Sequence, residues 1–415
     1  MEMNDDPGLP RGPFQGLLND LLNVIGGSSA GLPWLEAARA LAHGVATDGG
    51  EDRNVDPLQR IGFESLARIA ELHVTEATGL SVSADGPVAL TPVSRGTLAI
   101  RSLEAWRPLL GRMADAQKAN TQATGPDVLN GADLVHGDAN VGEFLSRLSS
   151  TMGPIMLGMQ FGSSIGHLAQ RALGQYAVPV PWPPSGEVLV VPENVSHFAS
   201  DWSLPEDATR LWVCVRELAF HVVLSRRHIA DRMTELLGQA ADEAVTVQQD
   251  LAQRLTNEMA NPDQLQHLLT DPEAILADLL SPGQRAASAQ LTGLATALEG
   301  YVDHVTTTIA QATTGSAGTL AEAWYRYRSE DASGHQAVGA VFGLDLSRSE
   351  IDRGAAFVRG VIDRAGEEGL RQLLTSAWTL PTPSELDAPG LWLERINLPE
   401  EPDLPEEPDS PQTSG

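Results

Sequence analysis

The stretch Leu211-Trp-Val-Cys-Val-Arg-Glu-Leu-Ala-Phe-His221 decides the fold prediction, because it is apolar along most of its length and yet carries three ionisable side chains. A long apolar run of this kind predicts a helix that is buried in the core. The three ionisable side chains are Arg216, Glu217 and His221. Charged groups on a buried helix need partners, so this helix is a candidate functional site.

Glu217 and His221 are four residues apart and share one face of the predicted helix, and His228 falls on the same face seven residues further on. A carboxylate and two imidazoles on one face could hold a metal ion. A hydrogen-bonded or half-exposed polar cluster would show the same pattern. The spacing alone leaves both interpretations open.

Two capping signals mark where helices begin. Ser203-Leu-Pro-Glu206 predicts the start of the helix just described, which we expect to run to Leu237. Ser281-Pro-Gly-Gln284 predicts a second buried helix with one apolar stripe. The stripe consists of Leu291, Leu294, Leu298, Val302, Val305 and Ile309.

On this second helix, Glu299 and Asp303 are also four residues apart. Like charges at this spacing cost about 0.2–0.5 kcal/mol on an isolated helix. We therefore expect something cationic opposite them. A metal ion, an arginine or solvent would each serve.

Helical spacing of apolar residues recurs along the rest of the chain, so the fold class is predicted to be mainly α. The segments are Phe14 to Ile25, Trp34 to Val45, Leu58 to Ala77, Leu98 to Ala119 and Val141 to Leu173. A small β-hairpin is predicted from Tyr176–Val180 and Val188–Val191, with a turn at 183–186. Gly158, Gly162 and Gly166, spaced four apart, predict a helix face that another backbone approaches closely.

Composition limits the possible partners. Acidic residues outnumber basic ones 55 to 27, and the net charge of −28 leaves no basic patch for phosphates, so nucleic acid is a poor candidate. Phosphate-loop, dinucleotide-binding and Gly-x-Ser-x-Gly patterns do not occur. The single cysteine, Cys214, excludes an internal disulfide and a multi-cysteine metal site.

The predicted organisation is a flexible segment 1–13, one domain 14–396 with parts 14–150 and 151–396, and an acidic, Pro-rich, disordered tail 397–415. The tail is interpreted as passive, with a peptide ligand as the alternative. The apolar stretch Met152–Ala169 contains too many polar residues to span a membrane, and a cytoplasmic location is expected. Lys118 is the only lysine, which favours a GC-rich bacterial genome.

From about Phe14 to Gly390 the sequence resembles the actinobacterial zinc-dependent metalloprotease family, whose members are also described as hydrolases associated with deazaflavin coenzyme biosynthesis. The resemblance rests on the order of several short segments. These are Met159-Gln-Phe-Gly, Gly166-His-Leu-Ala, Val191-Pro-Glu-Asn194, Arg210-Leu-Trp-Val, Arg216-Glu217, Gln284-Arg-Ala-Ala, Leu298-Glu-Gly-Tyr-Val-Asp-His-Val305, Val341-Phe-Gly-Leu344 and Leu380-Pro-Thr-Pro-Ser-Glu-Leu-Asp387. The resemblance implies a zincin-like metallopeptidase helical fold with at most a small β-sheet.

In that family a His-Glu-x-x-His motif binds zinc through two imidazoles, while the glutamate activates the bound water. Here the motif becomes Arg216-Glu217-Leu-Ala-Phe220, so the glutamate is kept and both histidines are replaced. His221 matches a further family histidine, but it lies about 100° around the helix from Phe220. It cannot simply replace the lost ligand.

The resemblance places the third zinc ligand at Glu299, with Asp303 and His304 as weaker candidates. A later polar segment of the family is replaced here by Ser333-Gly-His-Gln-Ala-Val-Gly339. A catalytic zinc needs about three protein ligands and an open position. We therefore expect that zinc, the cofactor implied by the resemblance, is not bound.

These residues favour an inactive or weakly active pseudoprotease that binds an unidentified protein or peptide partner. In it, the Arg216 guanidinium takes over part of the metal's electrostatic task by pairing with Glu217, Glu299 or Asp303. One alternative is an active enzyme with the unusual ligands Glu217, His221 and Glu299, with His228 nearby. The other is a small-molecule binder in the remaining cleft.

Overall fold

The amphipathic segments form helices in the structure, a computed structural model that describes residues 32–82, 88–123, 139–258, 282–330 and 333–398. A short strand interrupts the helices of the first half. The elements are α1 (Pro33–Ala46), α2 (Pro57–Thr78), β1 (Ala89–Pro92), α3 (Arg95–Ala105), α4 (Arg107–Ala123) and α5 (Ala139–Arg171).

The second half begins with another short strand and then is helical to its end. The elements are β2 (Glu187–Val190), α6 (Pro192–Asp201), α7 (Glu206–Leu224), α8 (Arg227–Glu258), α9 (Pro282–Thr313), α10 (Ala317–Glu330), α11 (Ser333–Phe342), α12 (Arg348–Arg371), α13 (Pro383–Leu386) and α14 (Pro389–Ile396). Two single-turn 3₁₀ helices, Gln372–Leu374 and Ala377–Thr379, lie between α12 and α13. The mainly α fold class is confirmed.

Two predicted helices are each divided in the structure. Leu98–Ala119 spans α3 and α4, which separate at Trp106. The helix expected to reach Leu237 ends at Leu224, because the chain turns at Ser225, and His228 therefore belongs to α8. The apolar residues keep their helical spacing across each break, so the sequence pattern does not predict where the first helix ends.

The capping signal at Ser203 was also wrong. Ser203 adopts a left-handed φ of 52°, and Pro205 is the residue that precedes the first helical turn. Glu206 pairs with Arg210 one turn further on, so its side chain does not reach back to Ser203.

The predicted hairpin is replaced by a parallel pair. Glu187–Val190 pairs with Ala89–Pro92, and Tyr176–Val180 forms no strand. The partner strand lies about a hundred residues away, so the local pattern could not reveal it. The hairpin prediction was therefore wrong, although a small sheet does exist.

The glycine stripe of α5 packs against α1 as expected. A Cβ at Gly158 would overlap the carbonyl of Trp34, and one at Gly162 would overlap the carbonyl of Ala38. Side chains of any size would push the two helices apart. This contact fixes the first part of the chain on the rest.

Helix α7 lies at the centre of the molecule, packed against α2, α6 and α9. Every residue from Trp212 to Leu224 is buried. Helix α9 packs on α12 at Gly300 and Gly354, where a Cβ at Gly300 would lie 2.6 Å from the Gly354 carbonyl oxygen. This close approach fixes how α9 packs on α12.

Within the described ranges no helix is long and apolar enough to cross a membrane. The segment Phe14–Ile25, the Ser281 capping signal and most of the tail 397–415 lie outside the described residues.

Candidate functional site

Helices α7 and α9 meet through ion pairs between the buried Arg216 and two partly buried carboxylates, Glu299 and Asp303, which are 13% and 27% exposed. The Arg216 guanidinium donates to Asp303 Oδ1 at 2.6 Å and to Glu299 Oε1. The Arg216 side chain is only 4% exposed. Of the three carboxylates predicted to pair with Arg216, Glu299 and Asp303 do so.

A second arginine completes the cluster from α10. Arg328 donates to Asp303 Oδ2 at 2.7 Å and to Glu299 Oε1, so each guanidinium bridges both carboxylates. Two arginines face two carboxylates, and their opposite charges balance. Such mutual pairing offsets the cost of burying four charges.

Aromatic rings surround the Arg216 guanidinium. Its central carbon lies 4.5 Å from the ring centre of Trp324, 4.8 Å from that of Phe220 and 6.0 Å from that of Trp212. Arg328 lies 5.1 Å from the Trp324 ring. Flat guanidinium groups stack favourably on such rings, and an ammonium or a metal ion would not reproduce this packing.

The cluster favours ionised side chains. Burial opposes ionisation of Asp303, but Arg328 and Arg216 outweigh it and lower the pKa of this carboxyl. Burial likewise opposes the charge on Arg328, but Asp303 and Glu299 raise its pKa. Asp303 and Arg328 therefore stay charged over the whole physiological pH range.

Glu217, which the resemblance aligns with the glutamate of the family motif, is turned away from these ion pairs. Its Oε2 accepts a hydrogen bond from the backbone N–H of Tyr176 at 2.8 Å. Burial raises its pKa from 4.5 to about 7, although the Tyr176 N–H and Arg216 act in the opposite direction. Gly174 leaves room for it, since a Cβ there would overlap the Glu217 carboxyl group.

His221 contacts the same loop as Glu217 but through a different atom. Its Nδ1 is hydrogen-bonded to the Tyr176 hydroxyl at 3.0 Å, and burial together with Glu217 raises the pKa of that hydroxyl. Tyr176 thus links Glu217 to His221. The arginine cluster and the Tyr176 contacts occupy different sides of α7.

The remaining predicted residues lie elsewhere. His304 Nε2 is 2.9 Å from Glu367 on α12, and His228 follows the turn at Ser225. In the segment 333–339, Gly334 packs against the backbone of His167, where a Cβ would lie 3.1 Å from the carbonyl. The structure therefore brings together Arg216, Glu299 and Asp303, but not His221, His228 or His304.

Sequence reasoning missed Arg328 and Tyr176. A signal for Arg328 was present, because Trp324 and Arg328 are four apart and so share one helix face. A large aromatic on that face indicates burial, and a buried arginine needs a carboxylate. No comparable signal marks Tyr176, whose backbone N–H is its essential contribution.

Described by its architecture, the molecule is a mainly helical protein with a two-stranded parallel sheet, consistent with a zincin-like fold. The sequence profile of the zincin-like metallopeptidase family matches residues 34–393, and the chain belongs to this family. A solved structure from Chloroflexus aurantiacus, titled "putative hydrolase with a novel fold", is similar in fold. The likeness has a TM-score of 0.58 at 18% identity and covers 88% of this chain and 99% of that one. A search of curated proteins found no match.

The family implies zinc, but the residues at the ligand positions do not fit it. The resemblance places Arg216 and Phe220 at the positions of the two imidazoles, and Glu299 is bonded to two guanidiniums. A catalytic zinc needs about three ligands from His, Cys, Asp or Glu. Among the residues that the structure describes, no group of three such side chains is placed to hold a metal.

Proposed function

We propose that this protein is a pseudoprotease of the zincin-like family, which has exchanged its catalytic zinc for an arginine cluster and acts by binding a protein or peptide partner. One observation carries the proposal. Arg216 and Arg328 supply opposite Glu299 and Asp303 the positive charge that zinc supplies in an active relative. The site is stabilised without a metal, so the fold can persist without catalysis.

The test compares the wild type with the double variant Arg216→His, Phe220→His. Metal content per chain is measured after purification and after incubation with zinc, together with hydrolysis of an unfolded protein substrate. We expect zinc in the double variant alone. Stoichiometric zinc in the wild type, with cleavage abolished by Glu217→Gln, would overturn the proposal.

The alternative is an active enzyme with an unusual ligand set, and the observed contacts do not favour it. Its ligands would have to be Glu217, His221 and Glu299, with His228 nearby. Glu217 and His221 are hydrogen-bonded to Tyr176, and Glu299 is paired with both arginines. Several contacts would have to break at once before one ion could reach all three.

Small-molecule binding is a second candidate function, and a cavity favours it. A cavity of about 600 Å³ opens beside His221 and is lined by Trp106, Trp182, Tyr176 and several prolines. Aromatic and apolar walls with a few polar groups are typical of ligand sites. The deazaflavin association of similar proteins suggests flat aromatic compounds as the first ligands to try.

Thermal-shift measurements with deazaflavin precursors test this second function. We expect a concentration-dependent rise in Tm that Trp182→Ala removes. A matched control is Trp378→Ala, since Trp378 is not part of the cavity wall. Equal shifts in the wild type and in Trp182→Ala would reject binding in this cavity.

Three further proposals rest on the sequence alone. The domain spans 14–396, the tail 397–415 is a passive acidic extension, and the protein works in the cytoplasm of an actinobacterium. The strongly acidic composition supports a soluble protein that does not bind nucleic acid.

A further inference from the structure

Helix α2 carries an apolar stripe on its outer face. The stripe consists of Leu58, Ile61, Ile69 and Leu72, which are 76%, 60%, 46% and 66% exposed. Successive steps of three, four, four and three residues, through Ser65 in the middle, keep all five positions on one side of the helix. These residues are half of the large apolar side chains that the described part of the chain leaves exposed.

The stripe is separate from the face that α2 buries in the molecule. Phe63, Ala70, Val74 and Thr78 are the buried residues of α2, and the helix packs on α7 and β1. The helix is therefore apolar on two faces, of which only one is buried against the residues that the structure describes. Exposed apolar stripes of this extent mark interaction surfaces.

We propose that the stripe binds the same stripe of a second copy of the chain, with the two α2 helices antiparallel about a two-fold axis at Ser65. In this arrangement Leu58 of one copy faces Leu72 of the other, and Ile61 faces Ile69. The numbering is symmetric about 65 for both pairs, so the apolar residues meet without a gap. A self-complementary patch is what a two-fold interface requires.

The charges beside the stripe select the antiparallel orientation. Arg60, Glu64, Arg68 and Glu71 follow one another along one flank of the stripe, in the order plus, minus, plus, minus. Two antiparallel copies place Glu64 opposite Arg68 twice, and Arg60 near Glu71 twice. Flanking charges of this kind set the orientation of paired helices.

The centre of the stripe is shaped for close approach. Ser65 is small and exposed, and its hydroxyl bonds to the Ile61 carbonyl at 3.0 Å, which turns it along its own helix. A Cβ at neighbouring Gly62 would meet nothing within 4 Å, so open space lies beside the proposed axis. From Leu58 to Leu72 the contact is about 21 Å long at 1.5 Å per residue.

The first test is a site-directed cross-link. The chain has one cysteine, Cys214, which is buried, so Ser65→Cys adds a single reactive thiol. We expect a short bis-maleimide to convert Ser65→Cys to a covalent dimer. Glu76→Cys lies on the same face, but its copies are about 33 Å apart along antiparallel helices. Cross-linking at both positions would overturn the antiparallel arrangement, and cross-linking at neither would overturn the interface.

The second test uses charge reversal, measured by light scattering and sedimentation. We expect Glu64→Arg and Arg68→Glu each to weaken the dimer roughly tenfold, because two attractive pairs become repulsive. The double variant, with both pairs exchanged, regains the wild-type dimer. Glu64→Arg makes the chain less negative and Arg68→Glu makes it more negative. If one variant strengthened the dimer and the other weakened it, net charge would be the cause, and the proposed pairing would be wrong.

The apolar contact itself is tested with Ile61→Asp. This side chain is exposed, so the circular dichroism spectrum should be unchanged while the dimer is lost. A wild-type chain that stays at its 44.1 kDa monomer mass at high concentration would overturn the proposal. A monomer whose stripe is covered only by a different protein would overturn it equally.

Discussion

In the proposed pseudoprotease, Arg216 stands at the position of a zinc-binding histidine. A histidine there would present one nitrogen to a metal, whereas Arg216 presents a fork that bonds Glu299 and Asp303 together. Trp324 and Phe220 pack on the flat group. In the same proposal, Phe220 in place of the second histidine belongs to the same change, because its ring covers the guanidinium.

Removing this guanidinium should be costly. Arg216→Met leaves Glu299 and Asp303 with Arg328 as their only ion-pair partner among the described residues, and breaking a buried ion pair costs about 3 kcal/mol or more. The measurement is the free energy of unfolding in urea. Arg326→Met is the matched control, since Arg326 and its partner Glu322 are each 58% exposed, and we expect a change below about 1 kcal/mol. Similar losses in both variants would contradict a buried cluster.

Stability should fall as the pH rises through the range where Glu217 ionises. The folded-state pKa of Glu217 is about 7 and its ordinary value is 4.5. Between these values the folded protein keeps a proton that the unfolded chain loses, so the free energy of unfolding decreases with pH by at most about 3 kcal/mol. Below pH 4.5 this contribution is constant.

Glu217→Gln isolates this effect, because glutamine accepts the Tyr176 N–H bond without ionising. We expect the difference in unfolding free energy between Glu217→Gln and the wild type to grow from about pH 5 to about pH 8. Histidines titrate in the same range but are common to both proteins and cancel. A difference independent of pH would show that the folded-state pKa of Glu217 is not raised above its ordinary value.

At the scale of single residues, the sequence was informative where a helix fixes spacing. Positions 299 and 303 share a face whatever surrounds them, so a cationic partner could be predicted. The identity of that partner required α10, whose position depends on the whole chain. The same limit applies to Tyr176, because its backbone N–H carries no sequence signal.

At the scale of helices, glycine allows α1 and α5 to pack closely, and the effect on stability can be measured. Gly158→Ala places a methyl group on the Trp34 carbonyl and should destabilise the protein by about 1–3 kcal/mol. Gly44→Ala, in α1, meets nothing within 4 Å and should instead stabilise by about 0.5–1 kcal/mol. Opposite signs in urea unfolding are expected. A loss in both would show a general intolerance of alanine.

Helices were predictable because their apolar spacing is local, and the buried stripe of α9 is an example, with Leu291, Leu298 and Val302 all fully buried. The parallel pairing of β1 with β2 could not be predicted, because the two strands are far apart in sequence. Helix ends were uncertain for a similar reason. The turn at Ser225 interrupts an apolar pattern that continues into α8.

For the whole molecule, the segments that carry the family resemblance prove to be mainly scaffold. Asn194 donates to the carbonyls of Ala169 and Ala172 at the end of α5 and accepts from Arg95. Glu385 bonds to Thr382 and Arg395 near the end of the chain. None of these contacts involves the candidate site, so the family could be predicted from them without any prediction of what the site binds.

The fold therefore predicts what restoring zinc would require. Arg216→His with Phe220→His supplies two imidazoles, but Arg328 still bonds Glu299 and Asp303 in that variant. A third change, Arg328→Leu, frees Glu299 as a ligand and removes a positive charge beside the ion. We expect the triple variant to bind zinc at least about tenfold more tightly than the double one, measured by competition with a chelator. Zinc should also raise the Tm of the triple variant most, because binding to the folded state stabilises it. Arg326→Leu in place of Arg328→Leu is the control, and an equal gain from that exposed residue would show that Arg328 does not limit the site.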